Sequence, residues 1–150
     1  MVKLTLSILL VASLCALGLA RAPWRALDDE LEKLHKNAVF QDRQAKVELE
    51  MRVFTLQHDS LQGLKDEKKK ECIQTTKETA IDEGTKLRSS TVGTLVQAVE
   101  ESQKINGASE DEVLAKLDYE NLKNKVVADF KEKLNAWFPG VEKAFAACLA

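Results

Sequence analysis

The chain has 150 residues, of which 45% are apolar and 31% charged, with a formal net charge of −2, six glycines and two prolines. This apolar content suits one folded domain and argues against global disorder. The scarcity of Gly and Pro disfavours a many-stranded sandwich or barrel, and the near-neutral charge offers no electrostatic basis for binding nucleic acid.

Residues 1–20 have the pattern of a secretory signal peptide. Lys3 supplies a positive charge, an apolar run follows from Leu4 to Leu19, and Gly18 and Ala20 favour cleavage after Ala20. The run has 16 residues, fewer than the ~20 that a spanning helix needs, and no later segment qualifies. We therefore expect a secreted protein without an integral membrane span, whose single helical-bundle domain comprises residues 21–150.

Removal of the signal peptide leaves an even number of cysteines. Cys15 lies within the signal peptide, so Cys72 and Cys148 remain of the three cysteines. An even pair in an oxidising compartment predicts one disulfide. Such a bond would close a loop of about 76 residues, and loss of chain entropy in the unfolded state predicts roughly 4 kcal/mol of stabilisation.

The first predicted helix covers about residues 27–61. Apolar residues of its first half recur at spacings of four, three and four, which is one helical face: Leu27, Leu31, Leu34 and Ala38. After a polar gap at residues 41–44, the same face continues with Ala45, Leu49, Val53 and Leu56. Val47, Met51 and Phe54 are expected to widen this face. The gap predicts either a kink or a polar turn of one long helix, and Gly63 can end the helix.

The second predicted helix covers about residues 65–104. Its centre is rich in Ser and Thr, and Gly84 and Gly93 each lower helix propensity by up to ~1 kcal/mol. A break near Gly84 or near Ser89–Ser90 is therefore an open alternative to one continuous helix.

The third predicted helix begins after Asn106-Gly107. Ser109 and Glu112 have the S-x-x-E spacing of a capping box, so Ser109 is the expected N-cap. The helix is expected to continue to Trp137 and to stop at Pro139-Gly140.

The last residues predict a short C-terminal helix. Its apolar positions follow helical spacing: Val141, Ala144, Phe145, Cys148 and Leu149. The predicted fold class is therefore all-α: an antiparallel helical bundle of three long helices plus a short C-terminal helix, with one disulfide.

No pattern in the chain predicts catalysis or metal binding. His35 and His58 are 23 residues apart in one predicted helix, about 35 Å, so they could not share a metal ion. The run His58-Asp59-Ser60 has the residue types of a hydrolase triad, but neighbours on a helix do not face one another. We expect no enzymatic activity, no cofactor and no metal site.

Aromatic residues cluster near the C-terminus, with Phe130, Trp137, Phe138 and Phe145 inside 16 residues. One interpretation is a packed core beneath the disulfide. A second is an inter-helix cavity for a small apolar ligand, lined by Phe130, Leu134, Trp137 and Phe145. A third is an exposed protein-binding surface.

These patterns favour a secreted, non-enzymatic helical protein that carries small, lipid-like apolar ligands in an inter-helix cavity. The alternative is a secreted interaction or effector protein that binds or modulates an extracellular protein partner. A connected apolar void would favour the carrier and a fully packed core the interaction protein. The sequence leaves the oligomeric state open.

Overall fold

The computed structural model describes residues 23–105 and 108–150, and this part of the chain contains only helices and their connections. The helices are α1 (Pro23–Leu61), α2 (Glu67–Ser89), α3 (Gly93–Ser102), α4 (Glu110–Leu117) and α5 (Tyr119–Leu149). The all-α class, the bundle of three long helices and the single disulfide are confirmed. The predicted signal peptide at residues 1–20 and the turn at 106–107 lie outside the described residues.

The helix α1 runs antiparallel to the α2–α3 segment. Near the end of α1, the Gln57 amide donates to Gln74 Oε1 of α2 at 3.0 Å. Near its start, His35 Nε2 lies 3.5 Å from Glu100 Oε1 of α3. The two contacts join opposite ends of the segments, so the chain turns back on itself after residue 61.

The helix α5 runs back alongside α1 in the same direction. At its start, the Tyr119 hydroxyl donates to Asn37 Oδ1 of α1 at 2.9 Å. At its end, Cys148 is bonded to Cys72, near the start of α2. The three long helices therefore form an up-down-up bundle, in which α2 is antiparallel to both of its neighbours.

The polar gap at residues 41–44 does not interrupt the helix, because α1 is one helix of 39 residues, about 58 Å long. The Asp42 carboxylate pairs with the Arg88 guanidinium at the end of α2, and both side chains are mostly buried. Within the gap, Asp42 thus ties α1 to the place where α2 ends.

The second predicted helix is broken near Ser89–Ser90, and Gly84 lies inside α2. In the connection to α3, the buried Thr91 hydroxyl donates to the Leu87 carbonyl at 2.7 Å. The Ser90 hydroxyl donates to the same carbonyl at 3.0 Å. These side-chain bonds satisfy a backbone acceptor in the last turn of the helix.

The predicted N-cap at Ser109 is confirmed, but the expected continuous helix after it is not. Glu112 N donates to Ser109 Oγ at 3.3 Å, and Ser109 N donates to Glu112 Oε2 at 3.0 Å, which is a complete capping box. The helix then breaks at Asp118, whose φ of 40° is left-handed. Asp adopts this conformation more readily than most residues do. The left-handed backbone at Asp118 separates α4 from α5.

The predicted stop at Pro139-Gly140 is wrong, because α5 continues through both residues to Leu149. Both residues are exposed, whereas Leu134 before them and Val141 after them are buried in the same core. The residues predicted as a short C-terminal helix are therefore the last turns of α5. Packing and the disulfide outweigh the cost of an interior proline, ~3 kcal/mol.

The predicted disulfide Cys72–Cys148 is confirmed, with Cα atoms 5.6 Å apart. Cys148 is buried, and its sulfur lies 3.3 Å from the Thr76 hydroxyl. Lys69 Nζ also donates to the carbonyl of Leu149 at 2.6 Å. The C-terminal turn is thus attached to α2 by a covalent bond and by polar contacts.

The core consists of two clusters of buried side chains, one at each end of the bundle. The cluster at the disulfide end contains Ala45, Leu49, Val53, Ile73, Ala80, Val92, Phe130, Leu134, Val141, Phe145 and Cys148. The cluster at the other end contains Leu31, Ala38, Leu95, Val99, Val113, Leu117, Tyr119 and Val126. Both clusters include residues of α1, so one helix spans the whole core.

We predict opposite effects of the same substitution at two helical glycines. A Cβ at buried Gly84 would lie 2.9 Å from Leu49 Cγ, so Gly84→Ala should lower the free energy of unfolding by about 1–3 kcal/mol. A Cβ at Gly140 meets no atom within 4 Å, so Gly140→Ala should raise it by about 0.5–1 kcal/mol. Urea denaturation of both variants measures this, and a stabilising Gly84→Ala would contradict the close approach of α1 and α2.

We predict that the single tyrosine, Tyr119, ionises at a higher pH in the folded protein than in the unfolded chain. Burial, with a smaller contribution from the Glu120 charge, raises the pKa of Tyr119 from 10 to about 12. The folded state retains the proton that the unfolded chain loses, so this contribution to stability is complete below pH 10 and lost as pH rises toward about 12. Because the sequence has one Tyr, phenolate absorbance follows Tyr119 alone. If Tyr119 of the folded protein ionised near pH 10, the ordinary pKa of tyrosine, that result would contradict the burial of its hydroxyl.

Candidate functional site

The structure places three of the four predicted lining residues inside the core. Phe130, Leu134 and Phe145 are buried and belong to one cluster, where side chains of α1 and α2 pack against them. Trp137 is only half-buried, and its indole Nε1 donates to Glu83 Oε2 of α2 at 3.1 Å.

Trp137 lines an open groove of about 410 Å³ between α2 and α5. The lining combines small apolar side chains with hydroxyls and one carboxylate: Thr75, Thr76, Thr79, Ala80, Glu83, Trp137, Gly140, Val141 and Ala144. We call this surface the Trp137 groove. Of the four predicted lining residues, it contains Trp137 alone.

A second open groove, of about 720 Å³, lies between α1 and α5 and contains Phe130. It is lined by Phe40, Gln41, Arg43, Gln44, Ala45, Val47, Glu48, Val92, Val127, Phe130 and Lys131. We call this surface the α1–α5 groove. The four predicted residues are therefore distributed between two grooves and the packed core.

Four large apolar side chains of α1 are exposed to solvent in a row. Phe40, Val47, Met51 and Phe54 are 54%, 58%, 61% and 45% exposed. Their spacings of seven, four and three residues place them within about 60° of arc on the helix. We call this row the α1 apolar stripe, and its first two residues also line the α1–α5 groove.

The expectation that Val47, Met51 and Phe54 widen the core-facing stripe of α1 is wrong. The core face at this level consists of Leu49 and Val53, with Ala45, and these are buried. At 100° per residue, that face lies roughly opposite the α1 apolar stripe. The signal was present in the sequence, since two sets of apolar residues half a turn apart indicate two separate surfaces.

Positively charged side chains border the α1 apolar stripe. Arg43 and Lys131 line the neighbouring groove, and Lys77 Nζ lies 5.8 Å from the centroid of the Phe54 ring. None of these three cations belongs to an ion pair with a carboxylate of the described residues. The groove's acidic residue, Glu48, is held by Arg52 at 3.1 Å. The border is therefore basic on a chain with a net charge of −2.

The histidines lie far apart and make ordinary polar contacts. His35 faces Glu100, and exposed His58 lies 3.1 Å from the Gln62 amide. Within residues 23–105 and 108–150, no three His, Cys, Asp or Glu side chains are grouped to hold a metal ion. In the same ranges, no helix has the length and apolar content needed to cross a membrane.

Fold and surface together define a small, disulfide-linked helical bundle that presents an exposed apolar row beside an open groove. The sequence is 32% identical over 154 residues to venom protein family 1 protein 2 of Platymeris rhadamanthus, with both chains covered in full. It is also 32% identical over 120 residues to venom protein family 1 protein 1 of the same species, which covers 79% of this chain and 85% of that protein.

The chain therefore belongs to venom protein family 1, and it is a secreted protein. No protein-family model matches it, and no solved structure matches it.

Proposed function

We propose that this protein is a non-enzymatic venom component that binds an extracellular protein partner through the α1 apolar stripe. The observation that supports this proposal most directly is the exposure of Phe40, Val47, Met51 and Phe54 in one row. Contiguous apolar surface bordered by polar residues is typical of interaction sites in soluble proteins. Membership of a secreted venom family supports an extracellular partner.

The state of the core supports binding at the surface over binding in the interior. Phe130, Leu134 and Phe145 fill the space between the helices and are buried against one another. The Trp137 groove and the α1–α5 groove are both open to solvent. A packed aromatic core therefore favours a function in binding a protein partner over one in carrying a ligand inside the bundle.

The size of the stripe indicates that a partner must also contact the adjoining groove. Each of the four side chains is about half exposed, so complete burial of each contributes roughly 1 kcal/mol, or about 4 kcal/mol together. Association itself costs about 4–15 kcal/mol. The α1–α5 groove, which shares Phe40 and Val47 with the stripe, provides the additional contact area.

We predict that polar substitution of the stripe abolishes partner binding without affecting the fold. The double variant Val47→Asn, Met51→Gln should bind a partner from extracellular fluid at least ~10-fold more weakly, since the apolar contact is lost. Both positions are exposed, so the free energy of unfolding should change by less than about 0.5 kcal/mol per substitution. Biolayer interferometry with the immobilised mature protein measures the binding.

Ile105 provides a matched control for this experiment. It is also an exposed apolar residue, 37% exposed, and it follows α3. The variant Ile105→Asn should retain wild-type binding. Equal binding by the stripe variant and the wild type, or equal losses in both variants, would refute the stripe as the binding surface.

A second candidate function is transport of a small apolar ligand in the Trp137 groove. The observation that favours it is the groove's volume of about 410 Å³, which is within the ~300–1,000 Å³ of small-molecule sites. Ala80, Val141 and Ala144 supply apolar surface, and Glu83 and the threonines supply polar groups at its border.

We predict that filling the Trp137 groove blocks such a ligand. A side chain at Gly140 enters open space on this surface, so Gly140→Phe should weaken binding of a fluorescent fatty acid at least ~10-fold. Gly140→Ala is the matched control and should bind as the wild type does. If the wild type shows no displaceable binding of fatty acids, retinoids or sterols, the carrier function is refuted.

A further inference from the structure

We propose that the partner of the α1 apolar stripe is an acidic amphipathic helix, which docks along α1 and enters the α1–α5 groove. This inference rests on the proposed function and names the partner's chemistry. It follows from the shape of the surface and from the charges around it.

The spacing of the exposed residues fits a helix laid alongside α1. Phe40, Val47, Met51 and Phe54 are seven, four and three residues apart, which is the spacing of one seam of a coiled coil. From Phe40 to Phe54 the seam is about 21 Å long, or four helical turns. A helix that docks on such a surface presents its own apolar anchors at i, i+3, i+4 and i+7. About four turns of such a helix match the length of the stripe.

The α1–α5 groove gives the docked helix a second wall. It is lined by Val127, Phe130 and Lys131 of α5 together with Phe40 and Val47 of α1. A flat lipid surface would touch the stripe but could not enter the concave space between two helices. The concave shape therefore favours a helix over a membrane.

The charges around the stripe select an acidic partner. Docking would remove Arg43 and Lys131 from water, and Lys77 covers Phe54 at one end of the stripe. Within the described part of the chain, none of these cations is paired with a carboxylate. Buried cations are costly unless an opposite charge meets them, so the partner should supply carboxylates.

A second copy of this chain is a poorer occupant. A symmetric contact between two copies uses the same surface on both. It would bring the basic border of one copy, with its Arg43 and Lys131, against the basic border of the other. Like charges facing one another across an interface oppose association.

Two synthetic helices test this proposal on the mature protein with its disulfide intact. Both have 21 residues and the same Leu at seam positions, with Glu at the flanking positions in one and Lys in the other. Fluorescence anisotropy should show at least ~10-fold tighter binding of the acidic peptide, and its affinity should fall as salt is raised. The double variant Arg43→Glu, Lys131→Glu should reverse the preference.

The matched control is Lys125→Glu, Lys143→Glu. These two exposed lysines of α5 lie on the side of the helix away from the groove, so the same charge change there should leave the preference intact. Circular dichroism confirms that the variants are folded. Equal affinity for both peptides, or no response to reversal at Arg43 and Lys131, would overturn the proposal.

Two further outcomes would also overturn it. One is binding to vesicles of phosphatidylserine and phosphatidylcholine with no binding of either peptide. The other is self-association in sedimentation that Val47→Asn, Met51→Gln abolishes, again without peptide binding. If neither peptide binds but an extracellular partner still requires Val47 and Met51, the helix inference fails and the proposed function stands.

Discussion

All the other helices described here pack against one helix, α1. Its core face contributes to both buried clusters, with Leu31 in the cluster at one end and Leu49 in the cluster at the other. At Gly84, the absence of a side chain lets α2 approach Leu49 closely, and the Asp42–Arg88 pair holds α1 where α2 ends. The remaining helices can thus form one bundle, although α3 and α4 are too short to be stable alone.

The way the other helices pack against α1 also explains the exposed stripe. A three-helix bundle can bury one face of each helix, and the face with Leu49 and Val53 is the buried one. The opposite face, with Val47 and Met51, therefore remains in water. An apolar row that the fold leaves uncovered is the physical basis for proposing a binding site on this surface rather than in the interior.

Local sequence rules succeeded where short-range chemistry decides the structure. The capping box of Ser109 and Glu112 and the stop at Gly63, whose φ is +70°, depend on neighbouring backbone groups alone. The same rules failed at Pro139, where the intrinsic preference of proline is to end a helix. The core contacts of Leu134 and Val141 on either side, together with the disulfide, keep α5 continuous. Tertiary packing there outweighs a local preference.

The sequence by itself determined the helical class, the pairing of two cysteines and the secretion of the protein. Composition, residue pattern and cysteine count carry these properties whatever the arrangement of the helices. Only the tertiary structure decided that Phe130 and Phe145 fill the core and that Phe40 and Val47 face solvent. A helical pattern shows which apolar residues share a face, but which face is buried depends on where the other helices pack, since a bundle has only one interior.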